Sequence, residues 1–376
     1  MTISLSNNHV RFLRLRAQRL TQPSPSEVTG VVKVVKEVCG IQAQDASAAT
    51  LAVRARSAGL VVADVEQARV QDRTLIRTWG PRGTLHLLAS DDIGWLLPLF
   101  GPVFVTGDRR RREELGLSED ICARGMGIIR NALAKQGPLT RAELFEQLAI
   151  RGIHLEGQAR PHLLFRAALE GIICLGPDHG AEPTYVLLNE WIDQEHQGRP
   201  LSEDEAYAEL THRYLNAYGP ATPEDQAAWS GLPISKTRAA WQHIEDQLME
   251  IGFGGSAAWM LKTRAAWLDE LPIHTPIVRL LSRFDIYLLG YQKRDLTVPP
   301  QYAKRINAGG GIVHPTVLVD GCVVGTWKSK GQKNLLNVVV EPFNRLTPEV
   351  SEGLEAEATD LARFLRKPAT LRVTTR

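Results

Sequence analysis

Cysteine is scarce in this chain of 376 residues: there are four, Cys39, Cys122, Cys174 and Cys322, far apart and with no Cys-x-x-Cys pair. That spacing argues against a disulfide framework and against a cysteine zinc site, and the thiols read as buried free side chains. The 10 histidines are scattered, and no two stand at the helical spacing of a metal-ligand pair. A phosphate-binding Gly-x-x-x-x-Gly-Lys-Ser/Thr loop, a His-Glu-x-x-His and a Gly-x-Ser-x-Gly are all missing, so the chemistries that depend on them have nothing to stand on. Gly309-Gly310-Gly311 does not open a helix after a strand, so it is no dinucleotide fingerprint. The expectation is no metal and no cofactor. No apolar run reaches the roughly 18–20 residues that span a bilayer. The longest, around Ile93–Val105, is interrupted by Pro98, Gly101 and Pro102. Residues 1–20 carry Arg11, Arg14, Arg16 and Arg19 instead of an apolar leader. A soluble, cytoplasmic protein without a membrane partner is expected.

What is present is enough apolar residue, 44%, to bury sizeable cores in two or three domains. The net charge is only +2, but it is unevenly spread. Residues 1–60 hold eight Lys/Arg against three Asp/Glu, residues 275–333 nine against three, and residues 182–250 four against thirteen. Two basic ends around an acidic middle suit a molecule with one face along a phosphate backbone and another in water, although ordinary surface patchiness gives the same count.

The pattern of elements repeats where the residues do not. Residues 119–135, Arg141–Arg151 and Gln158–Glu170 read as helices, with Thr140 and Glu143 as a capping box. Ile172–Leu175 and Thr184–Leu188 read as strands joined by a flexible Gly176–Pro183 loop. Helix, helix, helix, strand, strand is the order of a winged helix. It returns with helices Glu203–Ala217, one starting at Pro223 after Thr222, and Lys236–Leu248 capped by Ser235, then strands Glu250–Phe253 and Ala257–Leu261 about a Gly-Gly turn. The N-terminal part gives a less regular third copy: helices Val10–Leu20, Glu27–Cys39 and Ala46–Ser57, strands Ile76–Trp79 and Gly83–Leu88. After residue 275 the texture turns to short β-branched strands, Val278–Leu281, Thr316–Val319, Cys322–Trp327, Leu335–Val340 and Leu371–Thr374. Asp320-Gly321 is a hairpin signal, and a helix Glu349–Leu365 closes the set. The expected class is α+β, with winged helices over 1–117, 118–200 and 201–274 and a small β-barrel or sheet over 275–376.

Four segments stand out in this order: Gln42-Ala43-Gln44-Asp45, then Trp79…Arg82-Gly83-Thr84-Leu85-His86-Leu87, then Arg283-Phe284-Asp285…Leu288-Leu289-Gly290-Tyr291, then Val323-Val324-Gly325-Thr326-Trp327. Together they resemble the AlkZ/YcaQ-like winged-helix DNA glycosylases along nearly the whole chain. The resemblance implies three tandem winged helices and a C-terminal β-barrel in a C-shaped clamp on double-stranded DNA. It also implies monofunctional removal of N7-alkylated purines, including interstrand crosslinks, with a Gln-x-Gln signature in the branch tied to bulky natural-product adducts and self-resistance. By that match Gln42 and Gln44 are the catalytic pair. Without it they read as a polar turn that satisfies backbone groups. A monomer that works on nucleoid DNA is the corresponding expectation. The alternative is a non-catalytic winged-helix regulator or adduct-binding protein.

The chemistry follows from the substrate. Alkylation at guanine N7 makes the base cationic, so it leaves neutral and needs no general acid. An uncharged amide cannot take the proton of a water, but its oxygen can accept a hydrogen bond and aim that water at the sugar. Asp45 reads as an N-cap for a helix starting at Ala46. Arg82 can meet a phosphate or a structural carboxylate such as Asp285, and His86 is either functional or a satisfied core histidine. The run Arg109, Arg110, Arg111, Arg112 is either a solvated loop or a phosphate contact. Lys304, Arg305 and His314 border a hairpin that can enter the minor groove, with His314-Pro315 alternatively a mere strand entry.

Overall fold

The computed structural model describes residues 3–21, 30–192, 198–270, 275–332 and 335–374; the expected helix start at Glu27 lies outside the described residues. The chain divides into two compact units, one of Met1–Val65 with Tyr207–Arg376 and one of Glu66–Ala206.

The unit Glu66–Ala206 is built around a helical trio, Glu119–Gln136, Arg141–Ile150 and Ala159–Leu169. Ser118 caps the first helix through Ile121 N, and Thr140 with Glu143 forms the expected capping box on the second. Apolar residues at helical spacing, among them Cys122, Met126, Ile129 and Leu133, pack on Leu144, Leu148, Leu163, Leu164 and Ala167. Within this unit the strands lie in the order Leu85–Ala89, Leu75–Trp79, Ile173–His179, Glu182–Leu187, Leu139–Thr140. The supposed flexible loop Gly176–Pro183 is mostly strand. Its ladder resumes after a bulge, pairing Asp178 with Pro183 and His179 with Glu182, and leaves only a two-residue turn. The apolar stretch around Ile93–Val105 folds as one helix, Ile93–Gly107, with Pro98 and Pro102 inside it. Each proline removes one helical N–H, and burial of Trp95, Leu96, Leu97, Leu99 and Phe100 compensates. Among the described residues no helix is long and apolar enough to cross a membrane.

The outward face of Ala159–Leu169 is occupied inside its own unit. Arg166 pairs with Glu119 and Glu170, His162 meets Asp108 at 2.9 Å, and Phe165 stands edge-on to Trp79.

The other unit repeats the helix order with Glu203–Tyr218 (most of its length), Pro223–Ser230 and Ile234–His243, followed by the hairpin Leu248–Phe253 and Ser256–Leu261. Thr222 and Asp225 form a second capping box with Pro223 at the first helical position. Ser235 does not cap the third helix. Pro233, with φ −58, already sets up the entry, so the helix begins at Ile234 without a side-chain cap. The helix also stops at His243, because Leu248 is taken by the strand.

The C-terminal part is a curled five-stranded sheet, half of a barrel, in the order Val278–Leu281, Thr316–Val319, Cys322–Gln332, Leu335–Pro342, Ala369–Val373. The first three pairings are antiparallel and the last is parallel. Asp320 (φ 47) and Gly321 (φ 78) both adopt left-handed geometry, the two-residue turn that matches strand twist. Period-two alternation gives the sheet two buried faces. Val278, Leu280 and Val317 meet Val350, Leu354 and Leu361 of the helix Pro348–Leu365, while Leu281, Leu318 and Val323 meet Phe12, Leu15 and Tyr287.

Candidate active site

The helix Val31–Glu37 ends in two successive left-handed residues, Cys39 (φ 59) and Gly40 (φ 92), with Gly40 N bonded back to Val35 O at 2.9 Å. The chain then runs extended. Ile41 and Ala43 are fully buried, Gln42 is 8% exposed and Gln44 lies at the surface. That alternation is the two-residue period of extended backbone: two apolar side chains fix the segment and two amides take the other positions.

Asp45 closes the segment as expected. It is the N-cap of the helix Ala46–Arg54, accepting from Ala48 N at 3.1 Å, and Ser47 Oγ donates to the same oxygen at 2.7 Å. Partial burial raises its pKa, but the bonds from Ser47 and Ala48 and the charge of Arg283 outweigh that and hold the carboxyl below its ordinary range.

The turn 282–285 braces this helix from the C-terminal part. Ser282 Oγ donates to Ala48 O at 2.7 Å. Arg283 Nη1 lies 3.9 Å from Asp45 Oδ2, with its side chain 41% exposed. Asp285 receives both guanidinium nitrogens of Arg56, at 2.7 and 2.9 Å, and both side chains are 0% exposed. Two residues earlier, at the last residue of the helix, Arg54 is bonded to Glu357, Asp360 and Leu280 O. Burial lowers the pKa of Arg54, and the two carboxylates more than reverse that. Phe284 sits at φ +56, an unfavourable conformation for an aromatic residue, and its N–H donates to Val313 O at 3.2 Å.

Val313 belongs to the hairpin that carries three of the expected contacts. Asn307 bridges to Val313, and His314 N donates to Ile306 O at 2.9 Å. The tip, Gly309-Gly310-Gly311, has φ 92, 58 and 77 and open space around each Cα, and Ile312 beside it is exposed. Lys304 is exposed at the hairpin base, His314 is half-buried, and half-buried Arg305 stacks on Phe343 at 4.9 Å. One unit thus gathers Gln42, Gln44, the 282–285 turn and the basic hairpin, linked by bonds from turn to helix and from turn to hairpin. Sequence reasoning gave Arg283 no role; the signal was its place directly before the Phe284-Asp285 motif.

The remaining expected residues belong to the other unit. Arg82 is half-buried at φ 56 in the turn between Trp79 and Leu85. Asp285 is not a spare carboxylate for it, since Arg56 and Tyr287 N take both oxygens. His86 is a core residue. Its Nδ1 meets Thr84 O at 2.9 Å, its buried Nε2 has no partner among the described residues, and burial with the nearby charge of Arg82 pushes its pKa down to about 3. The arginine run is a helix, Arg109–Glu114, rather than a loop. Arg109 pairs with Glu113 and Arg110 with Glu114, at 2.9 and 3.1 Å, and Arg111 pairs with Glu114 at 3.0 Å. Such exposed pairs are weak and exchange readily for phosphate. Arg112 is buried and structural, bonded to Val105 O at 2.7 Å. Among the described residues no group of three His, Cys, Asp or Glu is placed to hold a metal ion.

Comparison with known proteins gives matches along most of the chain. The profile of the DNA glycosylase AlkZ-like family matches residues 35–364. A curated relative, the interstrand DNA cross-link repair glycosylase of Streptomyces sahachiroi, is 32% identical over 375 residues, covering 94% of each chain. The solved structure of Streptomyces sahachiroi DNA glycosylase AlkZ superposes with a TM-score of 0.82 at 28% identity, covering 99% of this chain and 100% of that one. The chain therefore belongs to the DNA glycosylase AlkZ-like family.

Proposed function

We propose that this protein is a monofunctional DNA glycosylase that hydrolyses the N-glycosidic bond of N7-alkylated purines in duplex DNA. The observation that carries the reading is the Gln42–Asp45 segment. It is an extended strip pinned at one end by the Cys39-Gly40 turn and at the other by the Asp45 cap, and it presents Gln44 at the surface with Gln42 nearly covered beside it. Fixed amides suit a reaction whose leaving group is already activated. The barrier left is the approach of water to an oxocarbenium-like sugar, and orientation alone lowers it. In this reading Gln44 accepts from that water, and Gln42 holds it from the less exposed side. An amide forms no Schiff base with the sugar, which makes the outcome hydrolysis without strand cleavage. The same lack of a strong base makes the enzyme poor on undamaged purines.

Lys304, Arg305 and His314 at the hairpin, with Arg82, Arg109, Arg110 and Arg111 in the other unit, are the proposed backbone contacts. Three winged helices bounded near residues 117, 200 and 274 supply the scaffold, and the protein acts as a monomer on nucleoid DNA. The name of the Streptomyces sahachiroi relative extends the substrate range to interstrand crosslinks. The test is single-turnover release of N7-methylguanine, and of a crosslinked purine, from duplex oligonucleotides. Gln42→Ala and Gln44→Ala abolish release while DNA affinity stays close to the parent. A double variant as active as the parent refutes the mechanism.

A further inference from the structure

We infer that Arg283 is a contact for a DNA backbone phosphate next to the excised nucleotide, held in readiness by Asp45 until a phosphate takes its place. The inference rests on the glycosylase reading for the location of the nucleotide, but its evidence is separate. Three neighbouring arginines of the same unit, Arg54, Arg56 and Arg279, are buried and paired with carboxylates. Arg283 differs on each count. Its side chain is 41% exposed, and its one ion pair among the described residues is the 3.9 Å approach to Asp45, too long for a hydrogen bond.

Asp45 does not depend on that approach. Its Oδ1 is already bonded to Ser47 Oγ at 2.7 Å and Ala48 N at 3.1 Å. The guanidinium lies over the Phe284 ring at 5.0 Å, which supports one face of the group while its N–H fork stays available to an oxyanion. Phe284 itself is held in a left-handed conformation. The Ser282–Ala48 bond, the Phe284–Val313 bond and the Arg56–Asp285 pair together force it. Backbone strain fixed from three sides is found where a side chain must be aimed, and here it aims Arg283 beside the Gln42–Asp45 strip.

An unpaired cation would oppose the positive charge that builds on the sugar. Asp45 neutralises it in the free protein and a phosphate would do so in the complex. Arg283 thus serves grip and register while the two amides handle water.

The test is binding, so it is independent of whether Gln42 and Gln44 act as proposed. Kd is measured between about 50 and 200 mM salt for an unmodified duplex and for the same duplex with one tetrahydrofuran abasic analogue, where log Kd follows log salt with a slope of about 0.9 for each phosphate contact. Arg283→Gln weakens binding of the analogue duplex about tenfold and lowers its slope by about 0.9. Arg283→Lys keeps the slope, because the charge stays. Asp45→Asn keeps the helix cap, since asparagine caps as well as aspartate, and tightens binding by releasing Arg283. A glutamine variant with the parent slope overturns the inference, and so does a lysine variant that loses as much slope as glutamine. An asparagine variant that binds no more tightly overturns the exchange with Asp45. If excision proves independent of Gln42 and Gln44 while these shifts appear, the mechanism fails and the phosphate contact stands.

Discussion

Removing the carboxylate of Asp285 is the most demanding test of how the site is built. Arg56 would keep its bonds to Ala52 O and Gln18 Oε1, both at 3.0 Å, but would lose its counter-charge at full burial. Breaking one side of a buried pair costs about 3–5 kcal/mol, and the lost bond from Tyr287 N adds about 1 kcal/mol. For a unit the size of Met1–Val65 with Tyr207–Arg376 each kcal/mol moves the melting point about 2–4 °C. Asp285→Ala is therefore expected to melt roughly 8–24 °C below the parent. Calorimetry and urea titration followed by circular dichroism measure this. Arg56→Met combined with Asp285→Leu is expected to recover most of the loss, because a packed apolar pair often replaces a buried ion pair at little cost. The cycle should give a coupling above about 2 kcal/mol. A single variant that loses less than about 1 kcal/mol, or a double variant whose loss is the sum of the two singles, refutes the reasoning.

Three further outcomes are expected. Gly321→Ala places a Cβ 2.8 Å from Tyr287 Oη and 2.9 Å from Arg11 Cβ at φ +78, so a loss of at least about 1 kcal/mol in urea titration is expected; an unchanged midpoint would contradict the turn geometry. The ring of His86, with its pKa pushed down to about 3, stays neutral by NMR from pH 8 to pH 5. The unfolded chain takes up that proton first, so stability is unaffected above about 6.5 and is lost as pH falls from there towards 3; a ring titrating near 6.5 is the contrary result. Asp45→Ala lowers stability by about 1 kcal/mol and Asp45→Asn by far less. Because the Asp45 carboxyl lies below its ordinary 3.8, its contribution is present above that pH and fades as pH falls through its folded value. Melting curves of parent and asparagine variant should converge in acid.

Much of the local structure was legible because it depends on neighbours in sequence. Thr140 with Glu143, Pro223 after Thr222, Asp45 before Ala46 and Asp320-Gly321 each specify a cap or turn within four residues, and all four are seen. Val278–Leu281 and Thr316–Val319 were legible from β-branched alternation to the residue. Where expectation failed, something distant decided. Pro98 and Pro102 sit within a helix because the surrounding apolar side chains are buried, and Gly176–Pro183 became strand because its two sides pair across a bulge. The candidate site divides in the same way. Gln42 and Gln44 came from the resemblance, and the greater exposure of Gln44 accords with an extended strip pinned by buried Ile41 and Ala43. Arg283 remained hidden, since its meaning depends on which arginines nearby are already paired. Nothing in a linear reading tells Arg54 and Arg56, which are locked into the core, from an arginine that faces solvent.

The bonds that steady the Gln42–Asp45 strip have a consequence for when the protein becomes competent. Ala48 and Ser282 are 234 residues apart, and Arg56 and Asp285 are 229 apart. At about 5–20 residues per second, a growing chain carries its amides for roughly 12–47 s before their brace has been made. The unfinished polypeptide, and any fragment cut before the brace, holds Gln42 and Gln44 without the bonds that steady the strip carrying them. On the proposed function, the glycosylase is in this way kept idle until about three-quarters of its chain has been made.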